Sequence, residues 1–153
     1  MLPVGLEAGS NNDINDYFPR ELYTPEQEKF TMSETQTSLY DRLGGQPGIA
    51  AIVENIWDNH ISNPLVKNRY EASDPEKVKR LVREFFGAGI GGPETYTGQD
   101  MLTAHKGMNI NDEEFVAVID DVLKALGQND IGQKEKDEVL CILYSMKAEI
   151  AHV

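Results

Sequence analysis

Apolar residues recur at intervals of three and four positions along four stretches of this chain, and glycine or proline separates each stretch from the next. The stretches cover residues 49–61, 78–89, 115–126 and 139–150. Such spacing places the apolar side chains on one face of an α-helix. No stretch shows the sustained alternation of apolar and polar residues that a half-buried strand requires. The sequence therefore predicts an all-α fold with four long helices, the last of them carrying the stripe from 139 to 150.

Proline and short polar residues indicate where these helices begin and end. Asn63-Pro64 predicts the end of the first long helix, and Asp74-Pro75 predicts an N-cap followed by the first residue of the second. Gly91-Gly92-Pro93 ends that second helix. Asn111-Asp112-Glu113-Glu114 has the spacing of a capping box, in which the first and fourth side chains each accept from the other residue's backbone N–H group. The third long helix is therefore expected to begin at this tetrapeptide.

The charge of the chain argues against two classes of partner. Its 153 residues include 26 acidic and 14 basic side chains, a formal net charge of -12. A field of this sign repels the phosphates of nucleic acids and anionic lipid surfaces. No apolar run approaches the roughly 18 residues of a membrane span, and the N-terminus lacks the basic start and apolar core of a signal peptide. We therefore expect a soluble intracellular protein, in the cytoplasm or an organelle lumen, without nucleic acid or a membrane span.

The chain has one cysteine, Cys141, which excludes an internal disulfide and any iron–sulfur or zinc cluster built from several cysteines. Cys141 lies between Leu140 and Ile142 on the fourth apolar stretch. A thiol between two apolar residues is typical of buried packing. We therefore expect Cys141 to lie in the core.

Residues 1–36 differ from the rest of the chain. They hold seven acidic and two basic residues, three of the seven prolines, and no sustained apolar periodicity. We therefore expect an acidic extension at 1–36 and a globular domain at 37–153. Thr24-Pro25-Glu26-Gln27 predicts the start of a short helix over about 25–31. Aromatic residues interleave with the acidic ones, so the segment is either a solvated tail or a docking segment for the domain or another protein.

His105 lies between Met101 and Met108 in a glycine-rich stretch. On a short helix or helical turn, these separations of four and three residues put all three side chains on one side. The other two histidines, His60 and His152, lie elsewhere, which excludes a tetrahedral zinc site here because such a site needs three or four close ligands. Two interpretations remain open. His105 is either a histidine packed in the core or the single proximal ligand of a heme iron.

Five short motifs carry a resemblance to a known family. They are Leu39-Tyr40-Asp41-Arg42-Leu43-Gly44-Gly45, Gly91-Gly92-Pro93, Tyr96-Thr97-Gly98, Met101 and Ala104-His105. In this order and spacing they resemble the group I truncated hemoglobins, the small two-over-two globins, over about residues 38–150. The resemblance implies a two-over-two globin sandwich of α-helices, a heme b cofactor and His105 as the proximal ligand of its iron.

The resemblance also implies which residues surround the heme on the side of His105. Met101, Ile110 and Phe115 correspond to residues that pack on or near the porphyrin, and Phe86 corresponds to a residue behind it. These positions match the family well.

The distal side departs from the family pattern. Trp57 stands where the family usually presents a tyrosine that donates to bound dioxygen, and Val82 stands where it often has a glutamine. Val78 is the residue expected over the iron, and Tyr70 replaces a nearly universal phenylalanine. The distal pocket is therefore expected to be mostly apolar, with the Trp57 N–H and the Tyr70 O–H as its only donors.

Two functions remain open at this point. By the resemblance, the chain binds a diatomic ligand (dioxygen, carbon monoxide or nitric oxide) at heme iron, with oxygen binding or nitric oxide detoxification as its role. The changed distal residues and the extension favour a second function, a globin-fold subunit of a larger assembly that has lost or reduced its ligand chemistry. In that case residues 1–36 would contact the protein partner.

Overall fold

Seven α-helices and one 3₁₀ turn form the part of the chain that the structure, a computed structural model, describes, residues 37–153. The elements are α1 (Leu39–Arg42), α2 (Gly45–Ser62), the 3₁₀ turn (Lys67–Arg69), α3 (Pro75–Gly89), α4 (Met101–His105), α5 (Asp112–Gln128), α6 (Gln133–Ser145) and α7 (Lys147–Ile150). These residues contain no strand, only an isolated bridge between Ile110 and Ala151. The predicted all-α class is confirmed. The expectations for residues 1–36 lie outside the described residues.

The helices begin where their capping residues predict. Asp74 caps α3, and its carboxylate accepts from the backbone N–H groups of Glu76 and Lys77 at 3.0 and 3.3 Å. Asn111 and Glu114 form the capping box of α5, with bonds of 2.8 and 3.0 Å. These predicted helix starts are confirmed, and α2 ends at Ser62 as expected.

The fourth apolar stretch differs from the prediction because it forms two helices, α6 and α7. The Ser145 hydroxyl donates to the carbonyl of Ile142 at 2.6 Å. In a regular α-helix that carbonyl would accept from the N–H of Met146, but this N–H donates to the carbonyl of Leu143. A serine that bonds the backbone locally competes with the regular helical bond. The chain therefore leaves α6 at Met146 and starts α7 one residue later.

The expected burial of Cys141 is wrong, because Cys141 is exposed. Val139 is the residue of α6 that is almost fully buried, at 1% exposure. Two residues further along a helix, a side chain points to nearly the opposite side. The apolar neighbours of Cys141 in sequence were therefore a poor guide to its burial.

The core forms where α2 packs against α5 and α3. Ile52 and Val53 of α2 and Ala125 and Leu126 of α5 are all at most 2% exposed. The stripe of α6 joins the same cluster through Val139. The stripes that predicted four helices thus face one another, which gives two pairs of long helices. Within residues 37–153, no helix has the length and hydrophobicity needed to cross a bilayer.

Ion pairs at the surface join helices that the core brings together. The Lys79 ammonium of α3 contacts the carboxylate of Glu54 on α2 at 2.9 Å. Arg42, the last residue of α1, reaches Glu135 and Glu138 of α6 at 2.7 and 2.6 Å. Arg42 belongs to the first of the family-like motifs, so part of that motif serves to attach α1 to α6.

Gly48 lies in the first turn of α2, where the backbone passes close to the end of α1. A Cβ atom at Gly48 would overlap the carbonyl oxygen of Leu43. That oxygen belongs to the backbone and cannot rotate away as a side chain would. A residue without a side chain is therefore needed at this close approach.

Replacing Gly48 with alanine should destabilise the protein by about 1–3 kcal/mol, the usual cost of forcing an extra methyl group into a packed site. The matched control is Gly89→Ala at the end of α3, where a Cβ would meet nothing within 4 Å. Alanine favours a helix over glycine, so the control should lose no stability. Urea unfolding of both variants measures the difference, and equal midpoints for the two would contradict the steric argument.

Candidate functional site

A cavity of about 250 Å³ lies between the segment that links α2 to α3 and the helices α5, α6 and α7. Most of its walls are apolar. The lining residues are Val66, Arg69, Tyr70, Ser73, Val78, His105, Met108, Ile110, Glu114, Phe115, Val118, Ile119, Leu143 and Ile150. The fold thus brings five of the predicted site residues into one cavity: Tyr70, Val78, His105, Ile110 and Phe115.

His105 is the last residue of α4, a single helical turn that Asp100 caps by accepting from the N–H of Thr103 at 2.9 Å. The Nδ1 atom of His105 lies 2.7 Å from the carbonyl oxygen of Met101. Because a carbonyl only accepts, Nδ1 carries the proton in this contact, and in the neutral form of the ring Nε2 then keeps its lone pair. This is the tautomer that a histidine ligand to a metal adopts, with a backbone carbonyl as the outer partner.

The loop after His105 is held by the residues that follow α7. The carbonyl of Val153 accepts from the N–H groups of Gly107 and Asn109 at 3.1 and 3.2 Å, and the N–H of His152 donates to Ile110 at 2.8 Å. These bonds restrain the loop that carries Met108 and Ile110 to the cavity. The sequence contains no local signal for them, because the partners lie more than 40 residues apart along the chain.

Tyr70 enters the cavity from the segment before α3. Its ring stacks on the ring of His60, with centroids 5.1 Å apart and planes at 15°, and meets the edge of Trp57 at 5.8 Å. Among residues 37–153, the Tyr70 hydroxyl has no hydrogen-bond partner. Burial, aided by the negative charge of Asp121, raises the pKa of Tyr70 to about 12. The hydroxyl therefore keeps its proton at physiological pH and is able to donate.

His60 is buried beside Tyr70 and belongs to a polar cluster that links α2 to α5. Its Nδ1 lies 2.9 Å from Oδ2 of Asp121, which also accepts from the side-chain amide of Asn63 at 3.0 Å. Burial lowers the pKa of His60 below its ordinary value, despite the opposing effect of Asp121. The contact is therefore a hydrogen bond from a neutral imidazole to a carboxylate. Sequence reasoning missed this cluster.

Arg69 connects two walls of the cavity. Its guanidinium makes two bonds to the carboxylate of Glu114, at 2.8 and 2.9 Å, and a third to the carbonyl of Met108 at 2.9 Å. Hydrogen bonds from Arg69 lower the pKa of the Glu114 carboxyl below its ordinary value. Glu114 thus serves both the capping box and this bridge, which joins the 3₁₀ turn to α5 and to the loop after His105.

Four of the predicted site residues do not line this cavity. Met101 contributes its carbonyl to His105. Val82 and Phe86 pack against the main core, and Phe86 lines a separate void of about 40 Å³ between α3 and α6. Trp57 contacts Tyr70, which does line the cavity. Their roles at the cofactor stay predictions.

The lining fits a flat, mostly apolar group whose metal takes one protein ligand. Within residues 37–153, no three His, Cys, Asp or Glu side chains come together as ligands for a metal ion. A metal at His105 must therefore bring most of its own ligands, as the iron of heme does. The volume is slightly below the roughly 300 Å³ at which small-molecule pockets begin.

Comparison with known proteins agrees with this geometry. The family model for bacterial-like globins matches residues 38–152. The chain is 32% identical over 106 residues to a group 1 truncated hemoglobin of Tetrahymena thermophila, covering 66% of this chain and 88% of the relative. It is 31% identical over 112 residues to that of Tetrahymena pyriformis, covering 71% of this chain and 92% of the relative. The crystal structure of truncated hemoglobin from T. pyriformis in its Fe(III) form superposes with a TM-score of 0.74 at 23% identity, covering 76% of this chain and 100% of that one.

The lowered pKa of His60 predicts how stability depends on pH. As the pH falls below about 6.5, the ordinary pKa of histidine, the unfolded chain binds a proton at His60 that the folded chain does not yet bind. His60 should therefore reduce the free energy of unfolding in this range by up to about 1.4 kcal/mol per pH unit. Denaturant unfolding between about pH 5 and pH 7 measures the slope.

The comparison variant is His60→Gln, which cannot take up the proton. Its stability at pH 7 should be lower because the buried hydrogen bond to Asp121 is disturbed. Its decline toward pH 5 should nevertheless be shallower than that of the wild-type chain. Parallel slopes for the two proteins would show that His60 is not buried in its neutral form.

Proposed function

The chain belongs to the bacterial-like globins, as a member of the group I truncated hemoglobins, and from this membership we propose that it holds heme b through His105 and binds dioxygen with the help of Tyr70. Heme-binding globins of this family take a diatomic gas as ligand. The observation that carries the proposal is the shared cavity, which brings together the His105 imidazole and the Tyr70 phenol. Neither Nε2 of His105 nor the Tyr70 hydroxyl has a hydrogen-bond partner among residues 37–153.

His105 has the arrangement that a proximal ligand needs. The bond from Nδ1 to the Met101 carbonyl leaves Nε2 for the metal and restricts rotation of the ring. Ile110 and Phe115 supply apolar surface on the cavity wall, and Phe115 is 5% exposed. We propose that these two residues and the side chain of Met101 contact the porphyrin, with Phe86 behind it.

When bound, heme supplies a ferrous iron with one coordination position for a diatomic ligand. The Tyr70 hydroxyl would be the donor to such a ligand, since it stays protonated and has no hydrogen-bond partner among residues 37–153, whereas Val78 offers no polar atom. A ligand that takes on negative charge, as dioxygen would, would gain roughly 1–3 kcal/mol from one such donor. Carbon monoxide gains much less, so Tyr70 favours dioxygen.

We further propose that Trp57 supports Tyr70 by its edge-on contact. Val82 offers no donor at the position where the family often has a glutamine. Oxidation of nitric oxide by dioxygen would be a further use of the same site and would need an electron donor outside this chain. The alternative, a structural or interaction subunit that contacts its partner through residues 1–36, concerns residues outside the described part of the chain.

Replacing His105 with alanine should remove the protein ligand of the iron. The reduced wild-type protein should show the absorption spectrum of a five-coordinate, high-spin heme, because neither valine on the distal side can coordinate. His105→Ala should lose heme or lose that spectrum, and added imidazole should restore it. The matched control is His152→Asn, which removes an exposed imidazole, tolerates the positive φ of 61° at this position and keeps the backbone N–H that donates to Ile110. An unchanged spectrum and heme content in His105→Ala would contradict the assignment.

Replacing Tyr70 with phenylalanine removes one hydroxyl and keeps the ring. If the hydroxyl donates, dioxygen release should become roughly 5-fold to 100-fold faster, which corresponds to about 1–3 kcal/mol. Carbon monoxide release should change little. Stopped-flow displacement measures both rates, and Tyr144→Phe, which removes a hydroxyl from an exposed tyrosine, is the control. Equal effects on the two ligands would mean that Tyr70 acts through packing alone.

A further inference from the structure

We infer that His60 and Asp121 are positioning residues for Tyr70, and that through the direction of its hydroxyl they set how strongly the site prefers dioxygen to carbon monoxide. The inference rests on the proposed function, because it acts through the donor role of Tyr70. The two residues belong to different helices, α2 and α5, and their side chains meet in the core beside the cavity.

The ring of Tyr70 is restrained on two sides by residues one helical turn apart on α2. His60 covers one face of the ring, with nearly parallel planes, and Trp57 meets it almost at right angles. A phenol held against a flat ring in this way has little freedom to rotate or tilt. The direction of the Tyr70 hydroxyl therefore depends on where the His60 ring lies.

The His60 ring is itself restrained by hydrogen bonds. Asp121 accepts from Nδ1, and Asn63 donates to the same carboxylate oxygen. Asn59 donates to the backbone carbonyl of Asp121 at 3.1 Å and to Gln128 at 3.0 Å, which links α2 to α5 at the same level. His60, Asn59 and Asp121 are each at most 7% exposed. A hydrogen-bonded group this deeply buried has a defined orientation.

Packing alone does not explain these residues. Burying an imidazole and a carboxylate costs desolvation energy, and apolar residues of similar volume often fill such a site with equal or greater stability. Apolar residues in place of His60 and Asp121 would also fill the space beside the cavity. Without the hydrogen bond between the two residues, however, the orientation of a ring at position 60 would not be fixed. Orienting the His60 ring against Tyr70 requires a hydrogen bond, which explains why His60 and Asp121 are polar.

The test compares dioxygen and carbon monoxide release from the heme-loaded full chain in four proteins: wild type, His60→Phe, Tyr70→Phe and the double variant. His60→Phe keeps a flat ring but removes the bond to Asp121. It should speed dioxygen release by about 3-fold to 30-fold and leave carbon monoxide release within about 2-fold, a loss of the magnitude that misdirecting one hydrogen bond produces. In the Tyr70→Phe background, the same substitution should have no further effect on dioxygen, because coupled residues are not additive.

A second variant and a control separate positioning from general destabilisation. Asp121→Asn keeps the shape of the side chain. Like His60→Phe, it should raise the ratio of the dioxygen release rate to the carbon monoxide release rate. Asn129→Ala removes another polar link between α2 and α5, in which Asn129 donates to Asn55 at 2.9 Å, and it should lower stability without changing the ratio. In the diamagnetic carbon monoxide complex, nuclear Overhauser contacts between the rings of His60 and Tyr70 should be present in the wild type and weaker in Asp121→Asn.

Each outcome bears on a different statement. An unchanged ratio in Tyr70→Phe overturns the proposed donor role and, with it, the inference. A changed ratio in Tyr70→Phe with an unchanged ratio in both His60→Phe and Asp121→Asn overturns the inference alone. Equal effects of His60→Phe in the presence and absence of the Tyr70 hydroxyl would also overturn it, since they would show that His60 acts through packing.

Discussion

The contact between α2 and α5 is the interaction on which the rest of the structure depends. The apolar stripe of α2 meets that of α5 in the core, where Ala125 and Leu126 have 0% exposure. At the end of α2 the contact changes from apolar to polar, because Asn59 and His60 bond to Asp121. The apolar part supplies most of the favourable free energy. The polar part fixes how the end of α2 faces the cavity, and so it determines where Tyr70 lies.

Helix α5 serves the cavity and the core at the same time. Its first turn carries Glu114 to the bridge with Arg69 and Phe115 to the cavity wall, while Asp121, further along, reaches into the polar cluster. The loop after His105 is attached to the same region, because Arg69 also donates to Met108. A shift of α5 would therefore change both sides of the site together. The shared attachment to α5 is enough to couple the side of the cavity that carries Tyr70 to the side that carries His105.

Much of the fold could be predicted because it depends on local patterns. Apolar spacing identifies the buried face of a helix, and the caps at Asp74 and Asn111 act within four residues of themselves. The pairs Arg69–Glu114 and His60–Asp121 could not be predicted, since their partners are 45 and 61 residues apart. Periodicity shows which face of a helix is buried but not what lies across from it. The family resemblance assigned His105 and Tyr70 to one site, and both line the same cavity. It gave no information on polar residues such as His60 that lie behind them.

The polar cluster also contributes a negative charge to the surroundings of Tyr70. The Asp121 carboxylate accepts hydrogen bonds from neutral groups, the amide of Asn63 and the imidazole of His60, and its charge is not cancelled by a cation among residues 37–153. Burial, with a smaller contribution from that charge, raises the pKa of Tyr70 to about 12. An ordinary phenol, with a pKa of about 10, already keeps its proton at neutral pH, so the carboxylate widens this margin and does not create it. Asp121 therefore both holds the ring of His60 and favours the protonated form of the donor.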